Sequence, residues 1–187
     1  MYDKVLHAAK SHTVYEAARA YAQAGLSVIP LQGKRPALAS WKQFQTTPAM
    51  PDIIEAWQKA GLLNNVGIIC GEVSGNLVVL DLDGPASYPA FAVLFPELAE
   101  TFTVKTGSGQ GYHVYWVVDE LPPSIKAMDT PIGNLEICAN GRQVVAAPSV
   151  HPDSGQPYTV AKELDVRQVD DITLVLEWNA TLPLSKL

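Results

Sequence analysis

Leu77-Val78-Val79-Leu80-Asp81-Leu82-Asp83-Gly84 is an apolar run that would bury a strand and that ends in two carboxylates placed two residues apart. Side chains along a strand repeat every two residues, so Asp81 and Asp83 project from one face, about 6.5 to 7 Å apart at their Cα atoms. Like charges that close repel and raise each other's pKa unless something positive stands between them. A hard divalent cation with oxygen ligands, Mg²⁺ or Mn²⁺, meets that need. A strand terminus in which Asp and Gly merely turn the chain has the same local composition.

Upstream, Thr13-Val14-Tyr15-Glu16 has the form of a capping box, and Val14, Ala17, Ala18, Tyr21 and Ala22 recur on one helical face, with Gly25 as the stop. Leu26 to Leu31 reads as a short strand followed by the loop Gln32-Gly33-Lys34-Arg35-Pro36. A second helix is expected from near Asp52 to Gly61. Val66 to Cys70 and Leu77 to Leu80 are β-rich runs joined by turn residues. Residues 86 to 100 look helical but broken around Pro96. Further strands are expected at Phe102 to Lys105, His113 to Val118, Asn134 to Cys138 and Gln143 to Ala147, with Asp119 to Pro131 as a proline-containing surface excursion. A last helix is expected at about 170–180.

One helix and strand, then many strands with few helices between them, lack the strict alternation of a doubly wound parallel sheet. The expected fold is therefore mixed α/β (α+β), with a largely antiparallel sheet core and flanking helices. The expected organisation is one catalytic domain over residues 1–187, its core at about 13–160.

A chain of 187 residues can bury one good core, and 48% hydrophobic with 17% charged residues is the balance of an ordinary folded protein. No apolar stretch is long enough to cross a bilayer, and Met1-Tyr2-Asp3-Lys4 lacks the start of a secretion signal, so the cytoplasm is the expected place, with no membrane partner. Cys70 and Cys138 show neither metal-ligand spacing nor a disulfide framework and read as buried small hydrophobes. A net charge of -6 argues against a generic nucleic-acid coat, which displays a basic stripe. It is compatible with a metal-dependent nucleotide enzyme that concentrates acids at its site.

Two other stretches carry chemistry. Thr106-Gly107-Ser108-Gly109-Gln110-Gly111-Tyr112-His113 puts three glycines in five positions, letting the backbone approach a ligand and turn its N–H groups toward an anion. His113 then leaves the loop on a strand, beside any phosphate held there; a Gly-rich hairpin with a core histidine gives the same pattern. In Asn134-Leu135-Glu136-Ile137-Cys138, Glu136 sits among apolar strand residues, where an ionised carboxylate needs a cation, a metal or an exposed face. Three carboxylates from two separate strands could hold two metals about 3.5 to 4 Å apart, one activating a hydroxyl and one bracing a triphosphate.

Taken in order, Gly67-Ile68-Ile69-Cys70-Gly71, the Asp81/Asp83 pair, the Gly-rich loop into His113, Glu136, and Ala147-Pro148-Ser149-Val150-His151-Pro152 resemble the primase-polymerase (prim-pol) domain at the N-terminus of bifunctional replication proteins, within the archaeo-eukaryotic primase superfamily. The resemblance runs from about Ala17 to Tyr158. It implies a template-dependent nucleotidyltransferase that joins nucleoside triphosphates to a 3′ hydroxyl on single-stranded DNA, in the replication of a phage, plasmid or mobile element, with a helicase domain or protein as a partner. It implies Mg²⁺ or Mn²⁺ held by Asp81, Asp83 and Glu136, and His113 on the nucleotide's phosphates. Gly107, Ser108, Gly109 and Gly111 would steady the triphosphate. Lys34, between Pro30 and Pro36, matches a basic phosphate or template contact, and Ser149 and His151 match a segment that lines the nucleotide pocket. The chain departs from relatives at Cys138, where many carry Arg, a contact that Arg142 could supply. It departs also at Gly111, where other primases carry Ser and where Ser108 or backbone amides could substitute.

Two rivals share some of these features. A haloacid-dehalogenase-like phosphatase also begins with an apolar strand ending in Asp-x-Asp-Gly, with Asp81 as nucleophile and Asp83 as acid/base, but Pro85 stands where that family carries Thr or Ser. A catalytically weak nucleic-acid-binding replication module would keep the fold without turnover.

Overall fold

The computed structural model describes residues 3–182. Helix α1 (Asp3–Ala9) leads into α2 (Val14–Gln23), whose start is fixed by a capping box: the Glu16 amide donates to Thr13 Oγ1 at 3.1 Å, and the Thr13 amide donates to Glu16 Oε2 at 3.3 Å. The helix buries Ala17, Ala18 and Tyr21 and ends before Gly25, which takes a positive φ of 92°. Strands β1 (Ser27–Gln32) and β2 (Arg35–Pro36) form a hairpin. Helix α3 (Pro51–Lys59) starts at Pro51, one residue before the expected Asp52, because proline's fixed φ suits the first helical turn. It buries Ile54 and Trp57.

Strand β3 (Asn65–Ile69) precedes β4 (Leu77–Asp83), which runs three residues past the expected end and so contains both aspartates. Helix α4 (Ser87–Leu94) stops short of Pro96. Then come β5 (Thr103–Lys105), β6 (Tyr112–Val118), β7 (Ile125–Thr130), β8 (Gly133–Cys138) and β9 (Gln143–Val145). Strands β10 (Thr159–Lys162) and β11 (Arg167–Val169) precede α5 (Thr173–Thr181). The excursion expected over residues 119–131 is a correction: its second half is β7, an edge strand paired antiparallel with β8. Helix α1 and strands β2, β10 and β11 were not anticipated from the sequence. Among the described residues no helix is long and apolar enough to cross a membrane.

The fold is α+β with two mainly antiparallel sheets. One has the order β2-β1-β3-β9; the other runs β10-β5-β6-β4-β8-β7, with β11 parallel to the second half of β6. Period-two alternation on β4 divides the core. Leu77 and Val79 face the first sheet and α1 to α3, in a cluster that includes Tyr21, Ile68, Val104 and Tyr115. Val78, Leu80 and Leu82 face the other way, with Val114, Trp116, Leu135, Phe91 and Val175, under α4 and α5. Asp81 and Asp83 continue the Leu77/Val79 row. Asp81, partly buried, forgoes much of the roughly 1.5–3 kcal/mol that a buried Val or Leu contributes, a loss that favours a functional reason for the acid, while Asp83 is exposed at the strand's end.

Candidate active site

Register places the site. Asp81 on β4 stands opposite His113 on β6 and opposite Glu136 on β8. Glu136 in turn faces Lys126 on β7, and His113 faces Val104 on β5. One rank across the sheet therefore reads Lys126, Glu136, Asp81, His113, Val104, all on the same face. Direct cross-strand neighbours have Cβ atoms about 4.5–5.5 Å apart, so chemistry distant in the chain meets here.

Glu136, Asp81 and His113 of this rank, with Asp83, open on a cleft of about 260 Å³, also lined by Lys34, Thr106, Ser108, Gly111, Cys138, Gln143, His151 and Tyr158. His113 is buried, with Nε2 3.5 Å from Asp81 Oδ1. Its Nδ1 is buried and has no hydrogen-bond partner among the described residues. Burial raises the Asp81 carboxyl, but the His113 imidazole, by charge and contact, and then Lys34 and Lys126 outweigh it and hold the carboxyl below its ordinary value of 3.8. Asp81 is therefore ionised at neutral pH.

Glu136 is held from two sides. Lys126 Nζ lies 3.2 Å from Oε2 and Arg142 Nε 3.2 Å from Oε1. Both cations are about half exposed, at 49% and 48%, so each pair contributes about 0–1 kcal/mol and breaks readily. Among the described residues no three His, Cys, Asp or Glu side chains stand close enough together to hold a metal ion. The donor chemistry nevertheless suits a hard cation: Asp81 and Asp83 offer carboxylate oxygens on one face of a strand beside a polar cleft. Cys138, in the same cleft, is pushed well above the usual thiol range by burial and then by Cys70, Glu136 and Asp81, so it remains a thiol and adds no thiolate ligand.

The Gly-rich loop is a tight β5–β6 hairpin. The Thr106 amide donates to Gly111 O, the Gly109 amide to Thr106 O, and the Gln110 amide to Ser108 Oγ, so three of its amides are occupied inside the turn. Ser108 and Gly111 line the cleft; Gly107 and Gly109 do not. Gly107 is glycine because the 151–156 segment packs on it, with His151 Cβ 2.5 Å from where a side chain would begin. At Gly111 an added Cβ would meet Thr106 Oγ1 at 2.6 Å and Leu82 O at 3.1 Å. The Thr106 hydroxyl thus occupies the space a serine at 111 would need, and it pairs with Ser108 Oγ at 2.8 Å.

The remaining expected residues divide. Lys34 and His151 line the cleft. His151 Nδ1 accepts from the Asp153 amide at 3.2 Å and the Ser154 amide at 3.4 Å, which leaves Nε2 as the N–H donor. Ser149 stands outside the cleft: its hydroxyl accepts from the Val66 amide at 2.9 Å and donates to Val66 O, joining this segment to β3. Arg142 stands outside too, on Glu136. Sequence reasoning missed Thr106, Gln143, Tyr158 and Lys126. Tyr158 lies between His113 and His151, with ring centroids at 5.9 and 6.2 Å. Burial, then Asp81 and Asp83, raise its hydroxyl, so it stays protonated. Gln143 Nε2 donates to Lys34 O at 3.0 Å and ties the β1–β2 turn to the cleft wall. The available signals were the polar residue opening the β run Gln143-Val144-Val145 and the alternation Ile125-Lys126-Ala127-Met128.

A comparison with curated proteins gives no match. The model of a family described as bifunctional DNA primase/polymerase, N-terminal, matches residues 18–173, which takes in the cleft and every strand that lines it, and the chain belongs to this Prim-Pol family.

Proposed function

We propose that this cleft performs template-directed nucleotidyl transfer. Family membership supports a DNA primase/polymerase-type activity on DNA and nucleotides in general. The observation that carries the finer reading is the single rank Glu136–Asp81–His113, in register on one face of the sheet and open to one polar cleft.

In the reaction a 3′ hydroxyl oxygen forms a bond to the α-phosphorus of a nucleoside triphosphate, the bond from that phosphorus to the bridging oxygen of the β-phosphate breaks, pyrophosphate leaves, and the hydroxyl proton passes to water. His113, oriented by Asp81, stands beside the phosphates, and Lys34 and the His151 Nε2–H add positive charge and a donor across the cleft. Asp81 and Asp83 would hold Mg²⁺ or Mn²⁺, which supplies charge neutralisation at the triphosphate and acidifies the attacking hydroxyl. Glu136 would join them as a third, two-metal ligand once its ion pairs with Lys126 and Arg142 open. The substrates are a single-stranded DNA template and nucleoside triphosphates, in the copying of a phage, plasmid or mobile element, alongside a helicase.

The test is incorporation of a labelled nucleotide with Mn²⁺ on primed and unprimed single-stranded DNA, beside an Asp81→Ala plus Asp83→Ala variant. Wild-type incorporation that the variant loses by at least about 10²-fold, with an unchanged melting temperature, is expected. Hydrolysis of a generic phosphomonoester without incorporation would instead indicate the phosphatase chemistry, and DNA binding without turnover the weak replication module.

A further inference from the structure

Asp81, Asp83 and Glu136 line a second hollow besides the main cleft. On the far side of this acid ridge lies a groove of about 140 Å³, walled by Lys126 and Met128 from β7 and by Asn134 and Leu135 from β8. The main cleft, with His113 and Lys34, lies on the near side. We infer that the groove between β7 and β8 seats the 3′-terminal nucleotide of the strand being extended, so that its hydroxyl reaches the acid ridge from the side opposite the triphosphate. This rests on the nucleotidyl-transfer reading above.

The stereochemistry of the reaction asks for such a place. Entering hydroxyl and leaving pyrophosphate lie roughly in line on opposite sides of the phosphorus. If the pyrophosphate end lies toward His113 and Lys34, the attacking strand must come from beyond the acids, and the β7–β8 groove is what the molecule offers there. Its chemistry fits the end of a nucleic-acid strand. Lys126 is half exposed and can contact a phosphodiester while remaining near Glu136. Met128 is 55% exposed, two residues along the same face of β7, and gives a polarisable apolar surface for a sugar or base. Asn134 Oδ1 accepts from the Asp129 amide at 2.7 Å, which leaves its NH₂ group as the donor.

Two measurements on the full chain test it. First, a primer ending in 4-thiothymidine is annealed to template and photo-cross-linked in the presence of Mn²⁺, and the adduct is mapped by mass spectrometry. Attachment within residues 125–134 is expected; attachment on the β1–β2 turn or the 106–111 loop overturns the assignment. Second, Met128→Glu replaces the apolar surface for the sugar or base with a negative charge, two residues along β7 from the Lys126 contact to the strand's phosphate. It should raise the apparent KM for the primer end about tenfold while nucleotide affinity, read by fluorescent-analogue titration, moves less than about twofold. Val93→Glu, at an 80% exposed apolar site on α4, controls for added surface charge and should alter neither. Equal loss of nucleotide and primer affinity in Met128→Glu, or no change in either, overturns the groove. A wild-type chain that extends primers yet cross-links elsewhere leaves nucleotidyl transfer standing without this groove; a wild-type chain that incorporates nothing removes both.

Discussion

Asp81 and His113 are register partners on adjacent antiparallel strands, with 3.5 Å between Oδ1 and Nε2, while the opposite ring nitrogen of His113 is buried and without a partner among the described residues. One nitrogen faces the protein's own carboxylate, and the other is enclosed. A buried polar atom left unsatisfied is costly, so His113 holds this position at the expense of stability, which favours a functional reason for the imidazole. His113→Ala should lower nucleotide affinity and kcat together, by about 10- to 100-fold in kcat/KM. Steady-state incorporation kinetics check this, and unchanged parameters would remove His113 from the site.

The Asp81 carboxyl titrates below its ordinary 3.8, despite the opposing effect of burial, because of His113, Lys34 and Lys126. The sign follows from linkage: the folded state binds fewer protons than the unfolded state around and below that value, so stability rises with pH there. Asp81 thus stabilises the fold above the ordinary aspartate range, and this contribution disappears as pH falls through the lowered value. Wild type should melt higher than Asp81→Asn at pH 6, and the gap should close toward pH 3. A gap independent of pH, measured by thermal denaturation, would contradict the assignment of the shift to Asp81.

Much of this was legible in the chain. The alternation of Leu77 and Val79 with Val78 and Leu80 fixes which face Asp81 and Asp83 share, and the Thr13/Glu16 box fixes where α2 begins. Strand β7 was hidden because Pro122, Pro123 and Pro131 flank it and Lys126, Met128 and Asp129 stay exposed on an edge, so its pattern resembles a loop. Without β7 one partner of Glu136 was invisible: an acid in an apolar strand asks for a cation, a metal or an exposed face, and the structure sets two cations, Lys126 and Arg142, beside it. Short β10 and β11 are half exposed and owe their place to pairing with β5 and β6, which local propensity does not encode.

Lys126 and Arg142 compete with any cation for Glu136. Replacing both with Ala should tighten Mn²⁺ binding several-fold, because two positive charges leave the neighbourhood and Glu136 is released. The exposed pairs contribute little, so each single substitution should cost no more than about 1 kcal/mol of stability. Titration of free Mn²⁺ by electron paramagnetic resonance reads the affinity without turnover; weaker binding in the double variant would show that the pairs hold Glu136 in a competent position.

Gly111→Ser should destabilise by about 1–3 kcal/mol, because its Cβ would stand 2.6 Å from Thr106 Oγ1. Thr106→Ala removes the obstructing hydroxyl, and the paired Gly111→Ser plus Thr106→Ala variant should recover most of the lost stability. Denaturant unfolding checks both. Failure of the second change to rescue the first would place the strain at Leu82 O instead.

Because Asp81 meets its two neighbours through strand pairing, the arrangement of the cleft is only as secure as the alignment of β4 with β6 and β8. One residue inserted into β6 upstream of His113, with the rest of the strand slipping to match, would keep the ladder of hydrogen bonds and swing the imidazole round to the layer beneath α4 and α5. Such a protein could fold cooperatively, retain its spectroscopic signature of mixed sheet and helix, and be chemically blank.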